Sequence, residues 1–118
     1  MQLGYYFEKD IMIVDISGEL DHHNADEVRS RIDDWIDRFN TKKLILNLSG
    51  VSFMDSSGIG IVIGRYKKIT LRSGSINIIN TNEALKKVFD LSGLFKIVKC
   101  FQDKDKAIAD IRGDNHEG

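Results

Sequence analysis

Two adjacent serines, Ser56 and Ser57, follow an aspartate in the segment SFMDSSGIG (residues 52–60). Asp55, Ser56 and Ser57 all cap helix N-termini well, so we expect a helix to begin here with N–H groups that the helix itself leaves unpaired. The segment follows an apolar run, and open α/β sheets place their sites in the loops after parallel strands. A capping role and a chemical role for these serines both fit the segment.

A serine hydrolase would need a base and an orienting acid near Ser56. His22 and His23 follow Asp21 in another loop, which we expect at the same edge of the sheet. Neighbouring residues point in different directions, however, and the chain has no G-x-S-x-G turn. The pattern favours the histidines as loop residues, and an esterase that uses Ser56 is a distant alternative.

Neither dinucleotide binding nor metal binding is indicated. Residues 58–64 resemble a G-x-G-x-x-G fingerprint, but Ile63 stands where the third glycine belongs and Asn80 ends the next strand in place of an acid. The side chains that could ligate a metal are His22, His23, His116 and Cys100. They show no recognised ligand spacing, so we expect no metal and no cofactor.

The helix after Asp55 should carry two glycines on its outer side. At about 100° per residue, the side chains that cluster toward the sheet are Ile59, Val62, Ile63, Tyr66 and Ile69. The opposite side then presents Ser57, Gly60, Ile61, Gly64 and Lys68. Each exposed glycine costs roughly 1 kcal/mol relative to alanine. Another element of the same domain could pack there, but Ile61 among small residues favours a flat surface for another protein.

Length and charge exclude several classes of function. The chain has 118 residues, which predicts one domain over residues 1–118 with residues 114–118 frayed. Lys and Arg total 17 against 18 Asp and Glu, so the net charge of -1 lacks the basic excess that DNA binding needs. The longest apolar stretch, residues 59–64, is far shorter than the roughly 18 residues that span a membrane. One cysteine, Cys100, and an N-terminus without a secretory pattern favour a cytoplasmic protein.

The rest of the chain predicts strands that alternate with helices. Strands are expected over residues 5–8, 11–17, 44–48, 76–79 and 97–101. Helices are expected from Ala25, over residues 56–72, from the cap Asn82 through Leu91 with Gly93 as the stop, and around Ala107, Ile108 and Ile111. Asn24 and Glu27 form a capping-box pattern at the first helix. This order predicts an α/β domain with a mixed, mainly parallel sheet of four to five strands and about four helices.

Four motifs, in order, carry a family resemblance: GELDHH (residues 18–23), FMDSSG (53–58), GRYK (64–67) and FDLSGLF (89–95). With them the chain, from about residue 4 to residue 112, resembles the STAS-domain anti-sigma factor antagonists. Within that group it is similar to the anti-sigma-F factor antagonists, the stage II sporulation protein AA family. The resemblance implies a STAS-like fold.

The resemblance also implies a regulatory switch and not an enzyme. In endospore-forming bacteria, the unphosphorylated members bind an anti-sigma factor that is also an ATP-dependent serine kinase, and the sigma factor is released. The kinase phosphorylates the antagonist, and a serine phosphatase reverses the modification. By motif match the acceptor is Ser56, directly after Asp55. A nucleotide- or lipid-sensing STAS module is the alternative.

Together, the motifs and the outer side of the helix predict a partner-binding surface. Its expected residues are Asp21, His22, Asp55, Ser56, Ser57, Gly58, Ile59, Gly60, Ile61 and Gly64.

Overall fold

A five-stranded sheet forms the centre of the computed structural model, which describes residues 1–113. The strands, which lie side by side in chain order, are β1 (Gln2–Glu8), β2 (Ile11–Leu20), β3 (Lys43–Met54), β4 (Ser75–Ile79) and β5 (Lys99–Phe101). β1 and β2 form an antiparallel hairpin, and each later strand pairs in parallel with the one before it. The α/β class and the mixed, mainly parallel sheet expected from the sequence are confirmed.

Four α-helices connect or follow the strands within the described residues: α1 (Ala25–Arg38), α2 (Ser56–Leu71), α3 (Glu83–Ser92) and α4 (Lys104–Arg112). The expected signals at both ends of α3 are present. The Asn82 carboxamide oxygen accepts a hydrogen bond from the Ala84 N–H at 2.9 Å. Gly93 ends the helix with a φ of 76°, which is why glycine suits this position. The expected fraying of residues 114–118 lies outside the described residues.

Helices cover the sheet on both faces. On one face, α1, α2 and α3 bury the even-numbered side chains of β3, Leu44, Leu46 and Leu48. On the other face, α4 packs Ile108 against Ile45 and its neighbours on adjacent strands. Because successive strand residues point to opposite faces, one continuous apolar run can fill both cores.

Several strand boundaries differ from those expected, including the start of β1, which lies at Gln2 and not at residue 5. β2 and β3 run on to Leu20 and Met54, because they remain paired through two irregularities in register after Asp15. Ser49, Gly50 and Ser52 interrupt the apolar run there, and Val51 alone does not mark this part of β3 as a strand. β5 is shorter than expected because the N–H groups of Ile97 and Val98 donate to the Leu94 carbonyl, in the turn that follows the 3-10 helix Leu94–Lys96.

The capping box expected at Asn24 is wrong. The Asn24 side chain makes no cap hydrogen bond to α1. Its Oδ1 accepts a hydrogen bond from the Asp21 N–H at 3.2 Å, and its Nδ2 donates to the Glu19 carbonyl at 2.7 Å. The Asn24 side chain therefore stabilises the turn over residues 21–24 and does not cap α1.

Candidate functional site

The loops after β2 and β3 lie next to each other at the carboxyl edge of the sheet. Leu20 and Met54, the last residues of these two strands, are register partners. The Asp55 N–H also donates to the Leu20 carbonyl at 3.4 Å. This pairing brings the turn over residues 21–24 beside the start of α2, as the sequence predicted for Asp21 and Ser56.

Asp55 fixes both loops with one carboxylate. Its Oδ1 accepts hydrogen bonds from the N–H groups of Ser57 at 2.8 Å and Gly58 at 3.3 Å, which makes it the N-cap of α2. Its Oδ2 accepts from the His22 N–H at 3.1 Å and lies 3.4 Å from His22 Nδ1. Partial burial acts to raise the pKa of Asp55, but the hydrogen bonds from His22, Gly58 and Ser57 outweigh it and leave the pKa below its ordinary value.

Ser56 is the first residue of α2, and it is exposed. Its hydroxyl makes no hydrogen bond to any other described residue. Ser57 is half-buried, and its N–H is used by Asp55. Ser56 is therefore the more exposed of the two serines, and it directly follows the cap residue Asp55.

The two histidines face carboxylates. Their rings lie 4.0 Å apart, and both side chains are largely exposed. His22 contacts Asp55, as described above, while His23 Nδ1 lies 3.6 Å from Asp21 Oδ1. No hydrogen bond joins either imidazole to Ser56 in the described part of the chain, so the arrangement does not supply the nucleophile–base pair of a serine hydrolase.

Glycines at the start of α2 divide into two kinds. A Cβ at Gly58 would lie 2.4 Å from Met54 Cγ and 2.8 Å from the Leu20 carbonyl, so Gly58 lets the helix pack closely on the strand ends. A Cβ at Gly60 or Gly64 would meet no described atom within 4 Å. The outward direction expected for Gly60 and Gly64 is confirmed, and their cost to the helix has no explanation in packing.

The expected orientation of Ile61 is wrong. Its side chain is 3% exposed and lies in the main core. The reason is that α1 packs alongside α2 and widens the buried face of α2. The same packing buries Arg65, whose Nε lies 2.9 Å from Asp33 Oδ1 on α1. Gly58 and Ile61 are therefore buried parts of the core here, and Ile61 reaches solvent only where it lines a small recess.

A small recess of about 190 Å³ lies between the first turns of α1 and α2. Arg29 lines it from α1, opposite Ser57 and Gly60 of α2. The recess adjoins the exposed surface around Ser56 on the side of α1. A shallow groove therefore lies beside the Ser56 hydroxyl.

Comparison with known proteins identifies the family. A family model described as the STAS domain matches residues 4–107. The chain is 36% identical over 111 residues to an anti-sigma F factor antagonist of Paenibacillus polymyxa, which covers 94% of this chain and 95% of that protein. The chain belongs to the STAS domain family of anti-sigma factor antagonists.

Two solved structures of SpoIIAA share the fold of this STAS domain. The unphosphorylated anti-sigma factor antagonist matches with a TM-score of 0.72 and 28% identity, over 95% of this chain and 99% of that one. The phosphorylated form, described as a Bacillus cell fate determinant, matches with a TM-score of 0.71 and 29% identity, over 94% and 100%. The resemblance stated from the four motifs is confirmed, as is the STAS-like fold.

Two residues of this STAS domain that border the site were not predicted from the sequence. Phe53 is 50% exposed at the end of β3, two residues before Asp55. Arg29 faces Ser57 across the recess. Phe53 could have been found from the sequence, because it is an aromatic residue two positions before Asp55. The position of Arg29 could not, because it depends on how α1 packs against α2.

Other site classes find no support in the described residues of the STAS domain. They contain no group of three His, Cys, Asp or Glu side chains placed to hold a metal ion. They also contain no helix long and apolar enough to cross a membrane.

Proposed function

We propose that this STAS domain antagonises an anti-sigma factor, and that phosphorylation of Ser56 switches the interaction off. The observation that carries the proposal is the free, exposed hydroxyl of Ser56 at the N-terminus of α2, on a loop that Asp55 holds in place. A kinase needs an accessible hydroxyl as its substrate. A phosphate at this position would change the surface that a partner protein contacts.

The proposed docking surface consists of the accessible residues around Ser56: Asp21, His22, Ser56, Ile59, Gly60 and Gly64. Asp55 and Ser57 support it from below through the cap hydrogen bond. We add Phe53, because exposed aromatic side chains commonly anchor protein interfaces. Gly60 and Gly64 would let a partner approach the helix closely, which accounts for two residues that weaken an exposed helix.

The chemistry of this position favours a switch in affinity over a switch in fold. A phosphate adds a charge of about -1.5 to -2, which the N–H groups and dipole of α2 tolerate at its N-terminus. The same charge would lie beside the Asp55 and Asp21 carboxylates and would be desolvated under a partner. Typical couplings of this kind are about 1–3 kcal/mol, or roughly 5- to 150-fold in affinity.

The partner in this proposal is an anti-sigma factor that also acts as a serine kinase and binds ATP or ADP. A serine phosphatase would restore the binding form. We also propose that this role lies in the control of sporulation, in the cytoplasm, and the similarity to relatives named anti-sigma F factor antagonists supports this proposal.

Site mapping by mass spectrometry tests the proposal. The full chain is incubated with its cognate anti-sigma kinase and ATP, alongside the Ser56→Ala and Ser57→Ala variants. We expect one phosphate on the wild type and on Ser57→Ala, mapped to Ser56, and none on Ser56→Ala. Phosphate mapped to Ser57, or an unmodified wild type, would overturn the proposed switch.

A further inference from the structure

A second recess, of about 570 Å³, opens at the carboxyl ends of β4 and β5. Small-molecule sites in proteins commonly enclose about 300–1,000 Å³. Its apolar walls are Phe95, Val98 and Phe101, with Val98 only 2% exposed. None of the docking-surface residues lines it. The recess is therefore separate from the proposed switch and has the size of a ligand site.

The polar groups of Asn80, which lines this recess, already have hydrogen-bond partners. Asn80 is buried, and both ends of its carboxamide bond the backbone of Asn82, at 2.9 Å and 3.0 Å. The Asn80 N–H donates to the Phe101 carbonyl at 2.8 Å. Because both ends of its carboxamide already have partners, the Asn80 side chain offers no strong new polar contact to a ligand.

One cation at the rim has no ion-pair partner among the described residues. Lys86 lines the recess and forms no salt bridge within 4 Å, whereas Lys99 is held by Asp110 at 3.0 Å. Lys86 also lies close enough to Cys100 to oppose the effect of burial, which raises the pKa of that thiol. Glu83 adds a negative charge to the same rim.

We propose that this recess binds a small amphipathic ligand with a single carboxylate, its apolar body between Phe95, Val98 and Phe101 and its charge at Lys86. The charged residues that line the recess, two lysines and Glu83, carry a net charge of +1, which matches one negative charge on the ligand. A nucleoside triphosphate would bring three or four negative charges to a rim that offers one free cation, Lys86, and one carboxylate, Glu83. The charge pattern therefore favours a lipid-like acid over a nucleotide.

Decanoate, used below its micelle concentration, is a direct probe. Amide signals of the full chain are followed by two-dimensional NMR during titration. We expect saturable shifts at Lys86, Cys100, Phe101 and Gln102, with much weaker shifts from decanol and none of this pattern from ATP. Cys100 is the sole cysteine of the chain, so its reaction with a thiol reagent gives a second readout, which decanoate should slow.

Three exposed positions provide matched variants. Lys86→Gln should weaken decanoate binding by up to about fivefold, the value of one exposed ion contact. Lys87→Gln removes a neighbouring charge that does not line the recess and should leave binding unchanged. Thr81→Trp should fill the recess and abolish binding.

Ser56→Ala should bind decanoate like the wild type, so this inference stands or fails separately from the switch. The inference is overturned if decanoate does not saturate, if decanol binds equally well, or if ATP alone produces the shifts. It is also overturned if Lys86→Gln and Lys87→Gln bind alike.

Discussion

The Asp55 carboxylate contacts both the backbone N–H and the imidazole ring of His22. Asp55 Oδ2 lies 3.1 Å from the His22 N–H and 3.4 Å from His22 Nδ1. The second oxygen of the same carboxylate caps α2 through Ser57 and Gly58. One side chain thus links the loop after β2 to the helix that begins with Ser56.

Removing the Asp55 carboxylate should therefore destabilise the domain and loosen the loop. We expect Asp55→Ala to lower the free energy of unfolding by about 1–2 kcal/mol, the usual cost of a lost N-cap. Asp55→Asn is the matched control, because asparagine also caps helices well. Urea denaturation measures both variants. Equal stability of Asp55→Ala and the wild type would show that the cap contributes nothing.

The lowered pKa of Asp55 gives this contribution a definite pH dependence. A carboxyl whose pKa is lower in the folded state contributes stability above its unfolded pKa, here about 3.8. That stability is lost as the pH falls through the folded pKa. We expect the wild type to exceed Asp55→Asn in stability at pH 7 by more than at pH 3. A gap that is constant or wider in acid would contradict the sign of the shift.

Ser56→Asp should separate binding from stability. An acid suits a helix N-terminus, so thermal unfolding should change by no more than a few degrees. The added charge should weaken binding of the anti-sigma factor by about fivefold or more. Ser56→Ala, which keeps the surface neutral, should bind like the wild type. A large loss of melting temperature, or unchanged calorimetric affinity, would contradict a surface switch.

The two kinds of glycine in α2 should respond oppositely to substitution. Gly64→Gln meets open space and replaces a helix-weakening residue, so we expect a gain of up to about 1 kcal/mol in stability. Gly58→Ala should be destabilising by more than 1 kcal/mol or so, because its Cβ would overlap Met54 and the Leu20 carbonyl. Denaturation curves test both. In binding assays, Gly64→Gln should obstruct the partner while the domain stays folded.

Phe53 should contribute to binding and little to stability. Phe53→Ala removes a half-exposed ring beside the Ser56 loop, and we expect at least about a fivefold loss of affinity for the anti-sigma factor. Leu71→Ala is the control, since Leu71 is 87% exposed at the opposite end of α2. Similar effects of the two substitutions would remove Phe53 from the docking surface.

The start of α2 could be predicted from the sequence because its signals are local. Asp55, Ser56 and Ser57 are strong cap residues in adjacent positions, and the cap forms as expected. The alternation of strands and helices was equally local. These elements follow from hydrogen-bonding preferences and apolar periodicity within a few residues.

The rotation of α2 could not be predicted in the same way. Apolar residues surround much of the helix, so periodicity alone does not define a single buried face. Ile61 and Arg65 became buried because α1 packs alongside, and this contact joins residues far apart in sequence. Asn24 is a different case, because two local arrangements compete: its side chain bonds Asp21 and Glu19 in the preceding turn, and the predicted capping box does not form.

The affinity of the anti-sigma factor for the two forms of this chain tests the central claim most directly. Isothermal titration calorimetry would compare the unmodified chain with the same chain phosphorylated stoichiometrically at Ser56. We predict that phosphorylation weakens binding by roughly 5- to 150-fold or more while circular dichroism shows the same fold. Equal affinities for the two forms would contradict the proposed switch.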